Sequence, residues 1–277
     1  MRTVSLPSGE AVRALGQGTW GLGIDPARWR DDVAAVRLGL DLGLTLVDTA
    51  EMYGDGSTEE LVGEAIAGRR DDVFLVSKVY PHNADRRGVV AACERSLRRL
   101  RTDRLDLYLL HWRGAAPFEE TLAGFADLVR SGKIRHYGVS NLDAGEMAEW
   151  SSKPGGAATA TNQVLYNLMR RGVEWDLLPW CRERGVPLMA YSPLEQGRLL
   201  SEAALRRIAE RRGVSPAQVA LAWLLLQDGV IVIPKAGRAQ HLRENRAAAD
   251  LSLSPDDLAA LDRAFPPPTG PRPLELL

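Results

Sequence analysis

The sequence predicts an α/β fold, a (β/α)8 TIM barrel preceded by an N-terminal β-hairpin. Short apolar runs rich in β-branched residues alternate with helical patterns along the whole chain. Several runs, such as VFLVSKV, LDLYLL and VIVIP, are almost entirely apolar, which is typical of strands buried on both faces of a parallel sheet. Eight such alternations within 277 residues favour the barrel over a doubly wound open sheet, the structural alternative.

The strands expected in the barrel are short segments separated by helical patterns. In chain order they are Val12–Leu15 leading into GQGTWGLG, Thr45–Asp48, Val73–Val79, Leu105–His111, Ile134–Ser140, Ala160–Val164, Pro187–Tyr191 and Gly229–Ile233. Before them, Thr3–Leu6 and Ala11–Leu15 flank the turn residues Pro7–Glu10, a pattern that predicts a hairpin. We expect this hairpin to cover the bottom of the barrel.

Helices are expected between the strands, because apolar residues recur there at spacings of three and four, as at Val33 and Val36. Three serines, Ser57, Ser215 and Ser254, stand at expected helix starts, where a serine side chain can cap free main-chain N–H groups. The last two are followed by proline, which is favoured at the first helical position.

The composition predicts a single globular domain over residues 1–277, with an irregular proline-rich tail from Pro266. A net charge of −1 gives no overall field that would favour nucleic acid or an anionic membrane. Cys93 and Cys181 have no cysteine or histidine cluster near them, which favours a reducing compartment over a disulfide or a zinc site. Neither the N-terminus nor Val219–Leu226 has the apolar length of a signal peptide or a membrane span. We expect a cytoplasmic monomer without nucleic-acid or membrane partners.

Polar residues stand where three successive predicted strands end. Asp48 ends the second strand and Tyr53 follows it, Lys78 lies at the end of the third, and His111 ends the fourth. Active sites of (β/α)8 barrels lie at these carboxyl ends. Taken singly, an aspartate can cap a loop, a tyrosine can lie on the surface and a histidine can be part of the core. A lysine within VFLVSKV is harder to explain, because a buried ammonium is costly unless it is paired.

Together the four residues would form a proton-transfer device. Asp48 would keep the Lys78 ammonium charged, and the ammonium would lower the pKa of Tyr53, which is ordinarily about 10. Tyr53 could then act as a general acid toward a carbonyl oxygen, and His111 could donate a hydrogen bond to the same oxygen. A Schiff base on the lysine, as in an aldolase, stays open from these residues alone.

The chain resembles the aldo-keto reductase family over essentially its whole length. The motifs that carry the resemblance are GTWGLG, DTAEMYG, LVSKV, LDLYLLHW, GKIRHYGVSNL, TNQVLYNL, AYSPLEQG, VIVIPKAG and ENRAAA. The resemblance implies that Asp48, Tyr53, Lys78 and His111 are the catalytic tetrad, with Tyr53 as the proton donor. It also implies direct hydride transfer from a nicotinamide cofactor to an aldehyde or ketone, without a metal.

The resemblance implies where the cofactor, NADPH, would bind. Ser140, Asn141 and Gln163 would hold the nicotinamide carboxamide, and Tyr191 would stack on the nicotinamide ring. The other residues expected to contact the cofactor are Gly18, Thr19, Trp20, Ser192, Pro193, Leu194, Gln196, Lys235, Ala236, Gly237, Arg238, His241, Glu244 and Asn245.

Lys235 and a basic residue near it would hold the 2′-phosphate of NADPH, since cations at a helix N-terminus suit a phosphate dianion. Glu244 and Asn245 would hold the adenine. Two departures from the family pattern weaken the phosphate site: His241 replaces the usual arginine, and the residue after Lys235 is alanine where many members have serine. Lys235 and Arg238 still favour NADPH, with NADH tolerated.

The substrate pocket is expected to be open and shallow, because the loops around the predicted mouth are short. Trp20 and Trp112 would bound it beside Tyr53 and His111. Small aldehydes and dicarbonyls are therefore the expected substrates. The alternative function is a nicotinamide-binding redox sensor or regulatory subunit on the same fold, with slow or no steady-state turnover.

Overall fold

The computed structural model describes residues 1–277 and contains ten β-strands and ten α-helices. The strands are β1 (Thr3–Ser5), β2 (Ala11–Arg13), β3 (Gln17–Gly18), β4 (Leu46–Asp48), β5 (Phe74–Val79), β6 (Leu105–Leu110), β7 (Ile134–Ser140), β8 (Asn162–Leu165), β9 (Leu188–Tyr191) and β10 (Val230–Val232). The helices are α1 (Trp29–Asp41), α2 (Ser57–Ala65), α3 (Arg86–Leu100), α4 (Phe118–Arg130), α5 (Ala144–Ser152), α6 (Leu177–Glu183), α7 (Ala203–Arg212), α8 (Pro216–Leu225), α9 (Ala239–Ala248) and α10 (Pro255–Ala264).

Strands β3 to β10 form one sheet in which every strand is parallel to its neighbours in the chain. The two edges of this sheet meet through parallel bridges between Leu15 and Val232 and between Gly18 and Lys235. The sheet therefore closes on itself, and the (β/α)8 barrel predicted from the strand–helix alternation is confirmed.

The predicted hairpin is present, with β1 and β2 paired antiparallel. Val4, Leu6 and Val12 belong to the same buried cluster as the strand residues Leu46 and Leu107. Because inward-facing strand residues fill the interior of such a barrel, this shared cluster places the hairpin across its bottom.

One strand prediction is wrong, because Val12–Leu15 does not form the first strand of the barrel. Ala11–Arg13 belongs to the hairpin, and the first barrel strand is Gln17–Gly18. Val12 and Leu15 are buried all the same. A short apolar run shows burial but not which strand it pairs with, so the pattern could not separate the two elements.

Ser215 and Ser254 cap α8 and α10 through capping boxes, as predicted. Ser57 does not cap α2. It is the first residue of the helix, and the position before it is Gly56, whose φ of 98° is left-handed. Glycine adopts this conformation without steric cost, so a sharp turn of the preceding loop replaces the side-chain cap here.

Alternation along the strands separates the barrel interior from the helical layer. In β6, Leu107 and Leu109 belong to the interior cluster, whereas Tyr108 and Leu110 belong to the larger core that includes the helices. That larger core contains 59 buried residues, so both faces of the sheet are covered. None of the helices combines the length and the apolar character that a membrane span requires.

We predict that Leu107→Ala lowers the free energy of unfolding by about 2–5 kcal/mol, because it leaves a cavity in a fully buried interior. Leu226→Ala is the matched control, since the same atoms are removed from a side chain that is 49% exposed. Urea unfolding of the two variants measures the difference. Equal effects would contradict a packed barrel interior.

Candidate active site

Strand alternation carries the predicted tetrad residues to one end of the barrel. Lys78 lies two residues beyond Val76, which belongs to the interior cluster. Asp48 and His111 continue the interior rows of β4 and β6 in the same way. Residues two apart on a strand face the same side, so these polar groups meet at the carboxyl-end mouth of the barrel.

Lys78 has no exposed surface, and its ammonium makes three hydrogen bonds. Nζ donates to Asp48 Oδ2 at 2.8 Å, to the carbonyl oxygen of Thr49 at 2.9 Å and to the Tyr53 hydroxyl at 3.2 Å. An ammonium has three donors, so none is left unpaired. Burial alone lowers the pKa of Lys78, but Asp48 and Tyr53 together raise it above its ordinary value. The lysine therefore stays charged at neutral pH.

Tyr53 approaches this ammonium from the loop that follows β4. The three residues after it, Gly54, Asp55 and Gly56, have φ values of 55°, 52° and 98°. Successive left-handed residues turn the chain sharply between the strand and α2, and the two glycines adopt that conformation freely. The Lys78 Nζ lies 4.9 Å from the centroid of the Tyr53 ring.

Burial raises the pKa of Tyr53 above its ordinary value, and the attraction of Lys78, which acts in the opposite direction, does not offset it. The expectation that the ammonium would lower this pKa overall is therefore wrong, because loss of solvent outweighs the neighbouring charge. At neutral pH the phenol of Tyr53 keeps its proton, as the donor in a proton transfer must.

His111 lies beside Tyr53, with their ring centroids 6.0 Å apart and an interplanar angle of 72°. Burial, aided by the charge of Lys78, lowers the pKa of His111 to about 2. The ring is therefore neutral at neutral pH and carries a single N–H donor. Its Nδ1 is buried without a hydrogen-bond partner. Trp112 packs against the imidazole at 4.8 Å between centroids.

The second oxygen of Asp48 is also held by an amide. Gln163 Nε2 donates to Asp48 Oδ1 at 2.8 Å and lies 2.9 Å from the sulfur of Met189. Each carboxylate oxygen thus has its own partner, the ammonium on one side and the amide on the other. Gln163, which we expected only at the nicotinamide carboxamide, directly contacts the predicted tetrad.

Ser140, Asn141 and Tyr191 form one connected group beside His111. Asn141 Nδ2 donates to the carbonyl oxygen of His111 and to Ser140 Oγ, each at 3.1 Å. Asn141 Oδ1 accepts from the Tyr191 hydroxyl at 3.1 Å. Asn141 also has a left-handed φ of 58°, a conformation that non-glycine residues adopt mainly where the surroundings impose it, often at functional sites.

The loop after β9 is left-handed at Ser192 and Gln196, with φ values of 46° and 54°, on either side of Pro193 and Leu194. Left-handed residues among right-handed neighbours can direct main-chain N–H groups into one concavity, which favours an anion. This backbone could hold a pyrophosphate.

The segment after β10 lies next to the loop after β3. Gly18 is bridged to Lys235, and Thr19 binds the carbonyl oxygen of Asp48 through its hydroxyl at 2.8 Å. Lys235 and Arg238 are exposed, and α9 begins just after them without a side-chain cap. Free N–H groups and two cations at one helix N-terminus could hold a phosphate group.

The rest of the predicted cofactor set lies around this helix. Ala236 is buried and Gly237 is half-buried, and both precede α9. On the helix, His241 is exposed, Glu244 accepts a hydrogen bond from Gln240 at 2.8 Å, and Asn245 is 3% exposed.

The residues present fit a nicotinamide dinucleotide. Amide and hydroxyl groups lie beside the predicted tetrad at the mouth. The segment between β10 and the uncapped helix α9 contains two exposed cations and is bridged to Gly18 at the end of β3. Trp20 is 54% exposed and Trp112 is half-buried, so two indole rings are available to a substrate.

Two features of the site were missed by sequence reasoning. Glu51 accepts hydrogen bonds from the Tyr80 N–H at 2.8 Å and from Asn83 Nδ2 at 3.0 Å, and so joins the loops after β4 and β5. In the sequence, the position of Glu51 just after a buried strand was the signal that could have indicated this role. Residues 272–275 of the C-terminal tail also border one cavity with Asp143 and Leu165, so the tail lies near the carboxyl ends of β7 and β8. No local pattern indicates that arrangement.

Comparisons with known proteins agree with this geometry. A family model described as the aldo/keto reductase family matches residues 14–265. Methylglyoxal reductase YeaE of Escherichia coli K12 is 53% identical over 99% of this chain and 96% of its own length. A glyoxal reductase of Bacillus subtilis is 34% identical over 99% of this chain and 97% of its own. The crystal structure of an aldo/keto reductase from Klebsiella pneumoniae in complex with NADP and acetate matches with a TM-score of 0.97 and 50% identity, covering 99% of both chains.

We predict that Lys78→Met destabilises the protein by about 3–5 kcal/mol, because it leaves the Asp48 carboxylate buried without its counterion. Adding Asp48→Asn should recover part of this loss. Lys133→Met, which breaks the more exposed pair with Glu94, is the control and should cost less than about 1 kcal/mol. Urea unfolding compares the three variants, and equal losses in the two single variants would refute the buried ion pair.

Proposed function

Because the chain belongs to the aldo/keto reductase family, we propose that it reduces small α-dicarbonyl compounds such as methylglyoxal, with Tyr53 as the proton donor. NADPH-dependent reduction of a carbonyl group is the reaction that the family and the relatives support. The observation that carries the proton-transfer step is the Lys78 ammonium, which contacts both Asp48 and the Tyr53 hydroxyl inside the barrel.

In reduction, bound NADPH supplies a hydride to the carbonyl carbon, and the oxygen gains negative charge. Tyr53 gives its proton to that oxygen, so an alcohol forms and a phenolate stays on the enzyme. The Lys78 ammonium at 3.2 Å stabilises the phenolate, and this interaction strengthens as the proton leaves. Solvent then restores the phenol.

His111 has a different part in this reaction. Its low pKa keeps the imidazole neutral, so it cannot replace Tyr53 as the acid at neutral pH. A neutral ring can donate one hydrogen bond, and we assign that bond to the substrate oxygen. The carbonyl would then be held between the imidazole and the phenol, with its carbon open to the hydride.

We also propose which residues contact the cofactor. Ser140 and Asn141 would bind the carboxamide together with the free oxygen of Gln163, and Tyr191 would stack on the nicotinamide. The loop from Ser192 would hold the pyrophosphate. The cations before α9 would bind the 2′-phosphate, while Glu244 and Asn245 on α9, with the Gly18–Trp20 loop, would complete the site.

Methylglyoxal and glyoxal are proposed as the substrate class because two of the relatives are named for their reduction. The electron-poor carbonyl of a dicarbonyl accepts hydride readily, and a small substrate requires contacts with few pocket side chains. Trp20 and Trp112 would provide these contacts. We further propose a single-domain, monomeric protein of the cytoplasm. The two buried cysteines, which are not joined in a disulfide, support only the reducing compartment.

We predict that Tyr53→Phe lowers kcat for methylglyoxal by about 10²–10⁴-fold, because the ring stays in place while its proton is removed. NADPH affinity, followed by fluorescence, should stay unchanged. Tyr137→Phe is the matched control, since its hydroxyl binds the carbonyl oxygen of Gly155 away from the tetrad. Loss of NADPH absorbance measures turnover.

Full activity in Tyr53→Phe would refute the role of the phenol. Tight NADPH binding by the wild-type protein without turnover of any small carbonyl would refute the proposed substrates and support the sensor alternative.

A second prediction concerns the choice of cofactor. Lys235→Met should weaken NADPH binding by about tenfold or more and leave NADH binding unchanged, because a charge-assisted contact with the 2′-phosphate is lost. Arg246→Met, at the other end of α9, is the control. Fluorescence titration gives both dissociation constants. An equal loss for the two cofactors would place Lys235 away from the 2′-phosphate.

A further inference from the structure

The start of α1 lies against the segment between β10 and α9. Arg28 comes directly before the helix and Asp32 follows one turn later, so both side chains project from the same face. The position that a Cβ atom of Gly237 would occupy is 3.4 Å from Arg28 Nη2 and 3.4 Å from Asp32 Oδ1. Because residue 237 is a glycine, it has no side chain that would separate its backbone from the guanidinium. Arg28 therefore borders the segment that contains Lys235 and Arg238.

The Asp32 carboxylate holds this arginine in place. Its side chain is only 4% exposed, and Oδ2 accepts a hydrogen bond from the Gly23 N–H at 3.1 Å. Oδ1 is buried without a hydrogen-bond partner and lies 3.7 Å from Arg28 Nη2. A buried carboxylate is costly without a cation nearby, and Arg28 is the cation that the structure places beside it. This attraction keeps the guanidinium next to Gly237.

The guanidinium of Arg28 still has unused donors. A guanidinium has five N–H groups, and the side chain of Arg28 makes the single ion pair with Asp32 and donates no hydrogen bond. The side chain is 49% exposed, so its donors are open to solvent. Lys235 and Arg238 are exposed as well, and neither forms an ion pair. Three cations with free donors therefore belong to this small region.

Lys235 approaches the same part of the chain from the opposite direction. The position that a Cβ atom of Gly21 would occupy is 3.8 Å from Lys235 Cε, and Gly21 belongs to the loop that leads to Arg28. Lys235 thus lies against the loop after β3, while Arg28 lies against Gly237 in the segment after β10. Both cations stand where these two stretches of backbone adjoin.

The charge of this region matches a phosphate. Arg28, Lys235 and Arg238 are three cations and Asp32 is one carboxylate, so the four side chains have a net charge of +2. A phosphate monoester carries a charge of about −1.5 to −2 at pH 7 and has three acceptor oxygens. An arginine can donate two parallel hydrogen bonds to such a group, which a lysine cannot. Without Arg28, the charge of Asp32 would oppose the anion.

We propose that Arg28 is a third cationic ligand of the 2′-phosphate of NADPH, supplied by the start of α1 and held beside Gly237 by Asp32. NADH has no 2′-phosphate, so this contact contributes to the choice between the two cofactors. The proposal rests on the placement of the 2′-phosphate at the segment before α9, as proposed above. Arg28 lies outside the sequence motifs that indicated the cofactor site, and only the assembled barrel brings it to that segment.

The test compares Arg28→Met with Arg30→Met. In Arg28→Met we expect the NADPH dissociation constant to rise about threefold to tenfold and the NADH constant to stay unchanged, because a charge-assisted contact at a half-exposed site is lost. Arg28→Lys keeps the charge without the two parallel donors and should lie between the wild type and Arg28→Met. Arg30 is an exposed arginine of the same helix that faces elsewhere, in a groove bordered by Glu64 of α2, so Arg30→Met should match the wild type. Fluorescence titration gives the constants.

Competition by 2′,5′-ADP and by 5′-AMP isolates the phosphate contact and needs no turnover. Arg28→Met should weaken the binding of 2′,5′-ADP as much as that of NADPH, leave 5′-AMP unchanged and reduce the salt dependence of 2′,5′-ADP binding. Lys235→Met, measured in parallel, tests the placement of the 2′-phosphate itself.

Two results would overturn the role of Arg28. If Lys235→Met weakens 2′,5′-ADP selectively and Arg28→Met does not, the placement of the phosphate holds and Arg28 is not a ligand. If Arg28→Met weakens 2′,5′-ADP and 5′-AMP equally, its effect is a general disturbance of the segment. Selective weakening in neither variant would refute the placement of the 2′-phosphate together with the role of Arg28, whether or not the protein reduces a carbonyl.

Discussion

An ammonium enclosed inside the barrel must be neutralised and fully hydrogen-bonded, and the mouth of this protein is built around that requirement. Lys78 has no exposed surface, so Asp48, the Thr49 carbonyl and the Tyr53 hydroxyl replace the water it has lost. The cost of leaving the charge unpaired sets where each partner must lie. Gln163 then holds the other oxygen of Asp48, which connects this group to the neighbouring strands.

The barrel supplies these positions through strand alternation and closure. The same two-residue period that fills the interior with leucine, valine and isoleucine continues to Asp48, Lys78 and His111 at the mouth. Closure between β3 and β10 brings Gly18 beside Lys235, so segments more than 200 residues apart lie side by side at the mouth. Stability at the bottom and chemistry at the top are therefore separate parts of one sheet.

The fold and the four polar residues could be predicted because both depend on local patterns. Apolar runs and their spacing indicate a parallel sheet, and strand ends indicate its mouth. The prediction was wrong at Val12–Leu15, where burial under the barrel resembles a strand within it. It was also wrong for the pKa of Tyr53, because the extent of burial is a property of the assembled site. The approach of Arg28 to Gly237 joins distant parts of the chain and leaves no local signal.

The pH dependence of the hydride-transfer step, measured by single turnover in both directions, tests the central claim that Tyr53 beside Lys78 is the acid. A raised pKa for Tyr53 keeps the phenol protonated, so reduction should be constant from about pH 6 to about pH 9 and fall only above about pH 10. The rate of alcohol oxidation, which needs the phenolate, should rise with pH between about pH 6 and about pH 9. An inflection of reduction near the ordinary histidine pKa of about 6.5 would contradict this and make His111 the acid.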